Sequence, residues 1–337
     1  MKNFFSVFLL AACCAAAGAE NNHIRIGYPS AGALINGQVG TVLANTDILA
    51  KNGLDAEVTP FLYGSQMQEA LLAGKIDVAL TSEANFVNLA AKFPCKVIAT
   101  LGPAGRIAVM VREGSPLNKV SDLKGKTVTT VFGTSAHYPA VQWLLKAGLT
   151  PDKDVKLVHM AAAEGRAALM KGDIDAIVIW DPFVEDFIEK KAARMLDYSP
   201  SFFTTTVVSA EFLKNEPAAA VNFLAALQQA VLYMAKNHAL ANGWLAKTMG
   251  VSAEIIDKGS AFNTSYARAK KLKDINLAPA KDLLTRLQQI ADFNLASGLL
   301  KEKSPVLENV DPSFAKTARE KALAGKFDPA AVSVKEK

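Results

Sequence analysis

The chain has 337 residues, half of them hydrophobic and a fifth charged, with a formal net charge of +5. At roughly 150 residues per domain this length suits two domain-sized units, and the apolar share fills a sizeable core and argues against disorder. The 37 Lys and Arg residues are dispersed, with no basic block and no aromatic–basic stripe, so nucleic acid is not an expected partner; a mild positive excess helps to attract a small anion.

At the N-terminus, Met1-Lys2-Asn3 supplies a positive start, FFSVFLLAA an apolar run, and small residues follow, so residues 1–19 read as an export signal. The run is too short to span a membrane, and no later stretch reads as transmembrane. Two processing readings stand. Leu10-Ala11-Ala12-Cys13 has the form of a bacterial lipobox, which puts a lipid on Cys13. Ala17-Gly18-Ala19 fits the small-x-small rule and releases a soluble protein from Glu20. Either way the chain reaches the periplasm, free or anchored through Cys13. Only Cys95 follows, so no internal disulfide is expected. At the head of a strand-like run it reads as a small buried apolar residue, not a nucleophile.

From His23 the pattern alternates. HIRIGYP reads as a strand, TVLANTDILAKNG as a helix stopped by Gly53, AEVTPFLY as a strand and SQMQEALLAGKI as a helix, with Ser65 and Gln68 as a capping box. DVALTS, EANFVNLAAKF and KVIATLG continue as strand, helix and strand. After Gly102-Pro103-Ala104-Gly105 and the strand RIAVMVREGS the series restarts with KTVTTVF, TSAHYPAVQWLLKAG, VKLVHM, AAEGRAALMKGDI, DAIVIW and PFVEDFIEKKAA, closed by RMLDYS. Strands alternating with helices imply parallel sheets with helical crossovers. Beyond FFTTTVVSAEFL the chain turns helical, notably in AAAVNFLAALQQAVLYMAKN and PAKDLLTRLQQIADFNLASGLL. The polar, lysine-rich residues 306–337 read as a loosely attached tail.

The chain echoes itself. Ala70, Leu71, Gly74, Ile76 and Asp77 align with Ala168, Leu169, Gly172, Ile174 and Asp175, and Lys51-Asn52-Gly53-Leu54 echoes Lys146-Ala147-Gly148-Leu149. Two similar βα units therefore stand in one chain. In such sheets ligands sit beyond the carboxyl ends of the strands, at helix N-termini. If the units face each other, Thr81-Ser82-Glu83 and Ile179-Trp180-Asp181 are equivalent points on opposite walls of a shared cleft.

The arrangement resembles the solute-binding proteins of ABC importers, in the nitrate, sulfonate, taurine and thiamine-precursor branch. The matching stretches are Gly74-Lys75-Ile76-Asp77-Val78-Ala79, Ser121-Asp122-Leu123-Lys124-Gly125-Lys126-Thr127-Val128, Gly133-Thr134-Ser135-Ala136-His137-Tyr138, Gly172-Asp173-Ile174-Asp175-Ala176 and Trp180-Asp181-Pro182. The run from Ser209 to about Ala235 matches as well, and the likeness covers roughly residues 23–300. The opening loop PSAGALINGQVG is longer and richer in Gly than a typical member's. The resemblance implies an α/β, two-lobed periplasmic-binding-protein fold of type II, with two doubly wound sheets joined by a two-strand hinge. Lobe 1 then takes residues 20–103 and 203–305, and lobe 2 takes 104–202. It also implies an ABC permease in the membrane as partner, and no chemistry by the chain itself.

Gly133 lets the backbone approach a ligand, and the free N–H groups after it favour an anion, with a hydroxyl of Thr134 or Ser135 as an added donor. The alternative use of this turn is N-capping. His137, in the first helical turn, either donates to the solute or is an ordinary helix histidine. Asp181 before Pro182 reads as a helix N-cap with Pro at N1, and also as a partner for a cationic group of the solute; Glu83 is its counterpart. Tyr28, Tyr63 and Trp180 at strand ends either pack on the solute or belong to the core, and Phe132 reads as core. Ser30, Ser65 and Ser82 are donors on the same edge, and Arg166 reads as a solvated helix residue. No histidine pair has metal-ligand spacing, so no metal and no cofactor is expected. The expectation is a monomer that captures a small organic anion such as taurine or another sulfonate by hinge closure. A pyrimidine-type thiamine precursor or other heterocycle is the alternative solute. The rival class is a secreted enzyme on the same scaffold, against which no Ser-His-Asp, Cys/His or metal constellation is present; a sensor ectodomain lacks a following membrane segment.

Overall fold

The computed structural model describes residues 22–335; the expected export signal, residues 1–19, and Cys13 lie outside the described residues. Ten strands run in chain order as β1 (His23–Pro29), β2 (Asp55–Phe61), β3 (Val78–Ser82), β4 (Cys95–Ala99), β5 (Ile107–Arg112), β6 (Thr127–Thr130), β7 (Lys156–His159), β8 (Ala176–Trp180), β9 (Ala193–Ser199) and β10 (Thr204–Ser209). They form two five-stranded sheets, ordered β2-β1-β3-β10-β4 and β7-β6-β8-β5-β9. Helices cover both, giving the two-lobed α/β fold of periplasmic binding proteins.

The repeat accounts for the topology. β1 pairs in parallel with β2 and β3, as β6 does with β7 and β8. The echoed aspartates do the same work in each copy. Asp77 accepts from the Arg25 amide at 2.9 Å while its own amide donates to Arg25 O at 2.8 Å. Asp175 accepts from the Thr127 amide at 2.9 Å and donates to Thr127 O at 3.0 Å. Each therefore clips the head of one strand to its neighbour, satisfying a backbone group where the ladder starts.

The sheets are mixed where the sequence pattern predicts parallel ones. β10 and β5 are the strands that arrive from the opposite lobe, and each enters antiparallel. The two chain crossings, at 100–106 and 200–203, run side by side. The Ala104 amide donates to Phe202 O at 2.8 Å and the Thr204 amide to Gly102 O at 3.0 Å.

Three local expectations change. The Gly-rich opening stretch is largely helical, over Leu34–Asn45, followed by a short helix Ile48–Lys51. Its glycines serve close packing: a Cβ on Gly40 would lie 2.3 Å from Tyr28 Cγ, so the helix rests directly on that ring. The helix Pro217–Lys236 is long and apolar enough to cross a membrane by length and composition, which the hydropathy reading did not single out. It is buried instead, with Phe223, Leu224, Leu227 and Val231 at its core-facing positions. The C-terminal segment is not loose. Its helix Ser313–Ala324 buries Ala315, Ala318 and Ala322 against the helix Pro217–Lys236, Val310 bridges to Val97 and Val334 to Thr46, and the Lys335 amide donates to Asn45 O at 2.8 Å. An alanine stripe among lysines hides an apolar face that close helix packing uses.

Candidate functional site

The carboxyl ends of β1 and β3 in lobe 1 face those of β6 and β8 in lobe 2. Between them lies a narrow cleft lined by Gly32, Tyr63, Thr81, Ser82, Asn85, Thr134, Ser135 and Trp180. The lobes are shut on it. Asn85 Nδ2 donates to Gly133 O across the cleft at 2.7 Å, and the Ala162 amide donates to the Tyr63 hydroxyl at 3.0 Å. The Tyr63 and Trp180 rings meet edge to face, 6.1 Å between centroids. Gly32 abuts Trp180 so closely that a Cβ there would lie 2.5 Å from the indole Nε1. The space left is about 20 Å³, room for roughly one water, so a solute enters only when the lobes part.

The walls carry donors that the chain does not use. Trp180 Nε1 and Thr81 Oγ1 are buried and, among the described residues, have no hydrogen-bond partner. A buried unpaired donor costs about 1–3 kcal/mol, so two in one cleft need a reason. Nor do the amides of Thr134 and Ser135 donate within the described chain. Across the cleft, Ala33 lines the same space and is the N-cap of the helix Leu34–Asn45, so the positive end of that helix dipole lies there.

The carboxylates near the cleft each have an arginine partner within the chain. Asp181 receives the Arg106 amide at 3.0 Å, Arg106 Nε at 2.9 Å and a second guanidinium nitrogen at 3.0 Å; Glu185 takes the same guanidinium. Burial raises the Asp181 pKa against the pull of Arg106, and the hydrogen bond to Asp181 raises that of Arg106. Glu83 accepts from Arg286 Nε at 3.0 Å, and its other oxygen is buried without a partner. Burial pushes the Glu83 carboxyl up to about 7, in spite of Arg286. Arg166, expected in solvent, is bound to Asp186 and lies over the Phe183 ring.

The structure brings Tyr63, Ser82, Gly133, Thr134, Ser135 and Trp180 together at the cleft, with Ser65 at its edge, and sends the other candidates elsewhere. Tyr28 lies beneath the helix Leu34–Asn45. The Ser30 hydroxyl donates to Phe61 O at 3.0 Å. Ser82 Oγ donates to Asn85 Oδ1 at 2.6 Å and caps the helix Glu83–Ala90. The Thr134 hydroxyl donates to Val131 O at 2.6 Å, which leaves its amide as the available donor. The helix after this turn begins at His137, not at Thr134. Ser65 sits in the first turn of the helix Gly64–Leu72, facing Gly133, and no capping box forms, because the N-cap is Tyr63 and Ser65 already lies inside the helix; Gln68 donates to Asn85 O. His137 stacks on the partly exposed Phe132, and its Nδ1 accepts from the Gly133 amide at 3.4 Å; burial, helped by nearby His159, lowers its pKa to about 4. Asp181 caps no helix: the helix begins at Phe183, the Asp181–Pro182 peptide is cis, and the carboxylate turns to Arg106. Thr81 stands at the wall where sequence reasoning puts the Thr81-Ser82-Glu83 stretch, though without a role for its hydroxyl, while Asn85 and Gly32 escape that reasoning.

Two curated relatives span nearly the whole chain. A protein of Escherichia coli (strain K12) named for aliphatic sulfonates binding is 27% identical over 306 residues, 88% of this chain and 90% of that one. A Bacillus subtilis (strain 168) protein of the same name is 28% identical over 338 residues, 95% of this chain and 96% of that one. Among solved structures, the alkanesulfonate-binding protein SsuA from Xanthomonas axonopodis pv. citri, bound to MOPS, superposes with a TM-score of 0.69 at 24% identity, covering 87% of this chain and 99% of that one. The desulfurization enzyme DszB does so with 0.66 at 16%, covering 89% and 99%. Both likenesses are of fold. Residues 44–241, more than half of the chain, match the family described as NMT1/THI5 like, and the chain belongs to that family.

Proposed function

We propose that this chain is the exported solute-binding component of an ABC importer and that it captures an aliphatic sulfonate by hinge closure. The carrying observation is the pair of buried, unpartnered donors, Trp180 Nε1 and Thr81 Oγ1, set beside the free Thr134 and Ser135 amides. These are neutral donors arranged around one small space, which suits a compact anion. The names of the two relatives above support the sulfonate, and a third, a Brachyspira hyodysenteriae (strain ATCC 49526 / WA1) protein named as an ABC transporter periplasmic binding protein and 24% identical over 329 residues, supports the compartment and the permease partner. An amine-bearing sulfonate such as taurine needs a free carboxylate, and Asp181 and Glu83 are already paired with Arg106 and Arg286. A plain alkyl tail asks for neither.

Binding without turnover fits the chemistry present. Cys95 lies buried in β4 with its thiol pushed up to about 12, far from a reactive thiolate. DszB shows that this fold also carries an enzyme, so turnover is part of the test. Thermal-shift and calorimetric panels of short alkanesulfonates, taurine, nitrate, carboxylates and pyrimidines decide the solute. Alkanesulfonates should stabilise the protein most and be recovered unchanged by mass spectrometry. Stabilisation by neutral heterocycles alone, or consumption of the sulfonate, overturns the reading.

A further inference from the structure

The helix His137–Lys146 belongs to lobe 2, yet its second residue does not stay there. Tyr138 is 5% exposed and sits in an apolar cluster whose every other buried member comes from lobe 1, Phe86, Leu283, Leu287 and Ile290 among them. Its ring meets Phe293 edge-on, 5.1 Å between centroids, and the Arg286 guanidinium carbon lies 5.5 Å from the ring centre. The hydroxyl plays no part across the lobes, since it accepts from Gln142 of its own helix at 2.9 Å. Of this side chain, the ring and not the hydroxyl reaches across to lobe 1. It does so directly after the Gly133–Ala136 turn, which supplies the free Thr134 and Ser135 amides and receives Asn85 across the cleft.

We propose that Tyr138 is a positioning residue for solute capture: seated in lobe 1, its ring latches the closed cleft and sets the Thr134–Ser135 turn against the bound anion. This rests on the reading of hinge closure around a sulfonate. Opening withdraws an aromatic ring from an apolar seat into water, so the closed form is favoured before any solute contact is counted. Without the latch the closed form loses that stabilisation relative to the open one, so a captured solute escapes sooner and the affinity falls through the release rate.

The test is stopped-flow binding of butanesulfonate to the full exported chain, with small-angle scattering of the same samples. Tyr138→Ala should release the solute roughly ten- to a hundred-fold faster, with little change in association rate, and should enlarge the radius of gyration. Tyr138→Phe should behave as the wild type, because only the ring crosses the lobes. Phe293→Ala removes the seat from the lobe 1 side and should reproduce the Tyr138→Ala result, which keeps the test open if the first variant folds poorly. Wild-type release from Tyr138→Ala and Phe293→Ala, or a defect in Tyr138→Phe equal to that in Tyr138→Ala, overturns the latch. If the wild type binds no sulfonate, the solute reading fails, and the latch is judged by scattering of the unliganded proteins: equal radii for wild type and Tyr138→Ala overturn it.

Discussion

Trp180→Phe isolates the proposed head-group donor. The indole Nε1 is buried with no acceptor in the described chain, and its ring is 2% exposed at the wall opposite Gly32. A hydrogen bond to a charged group contributes about 1.5–3 kcal/mol, so its loss should weaken sulfonate binding roughly ten- to a hundred-fold at about 1.4 kcal/mol per decade. The unliganded protein should respond differently. Removing an unsatisfied buried donor is worth about 1–3 kcal/mol, while the smaller ring leaves a void of comparable cost, so the two offset and Tm should move by only about 2–4 °C. Isothermal titration with butanesulfonate gives the first quantity and differential scanning calorimetry the second. An unchanged Kd with a clear drop in Tm would show that Trp180 is merely a core residue and would refute the reasoning.

Glu83 should impose an unusual pH dependence. Its folded pKa of about 7 lies above the ordinary 4.5, so the folded state holds the proton through that window and stability falls as pH rises across it, by about 3 kcal/mol. Urea titrations at pH 5 and 8 should show this loss in the wild type and not in Glu83→Gln; equal losses in both sink the assignment. Gly32→Ala places a Cβ 2.5 Å from Trp180 Nε1 and should wedge the lobes apart, raising the sulfonate Kd at least about ten-fold with circular dichroism unchanged; wild-type affinity contradicts it. Asp181→Asn leaves Arg106 partly unpaired and should cost about 3 kcal/mol of stability. The ratio of taurine to ethanesulfonate affinity should stay the same, and a selective loss of taurine would show that Asp181 does hold an ammonium.

Much of the architecture was written in local pattern. The strand–helix alternation and the echoed Gly-x-Ile-Asp words report backbone needs that recur wherever a helix hands over to a strand, so a single chain displays them twice. The antiparallel entry of β5 and β10 leaves no such trace, because strand direction depends on where the chain has crossed between lobes. The docked C-terminal helix was hidden for another reason: its buried face is made of alanines, which carry little hydropathy. At the cleft the carboxylates misled. Asp181 and Glu83 lie near the expected walls, but their partners Arg106 and Arg286 stand 75 and 203 residues away in sequence, a pairing that no local window shows. The unpartnered Thr81 hydroxyl and Trp180 indole became meaningful only once burial was known.

β10 occupies the place between β3 and β4, although nearly all of lobe 2 separates it from them along the chain. During synthesis, lobe 1 therefore waits with a gap in its sheet while β5 to β9 emerge as one uninterrupted set. The second-written lobe is the first that can close its ladder, and the earlier strands must stay unaggregated until their missing neighbour arrives.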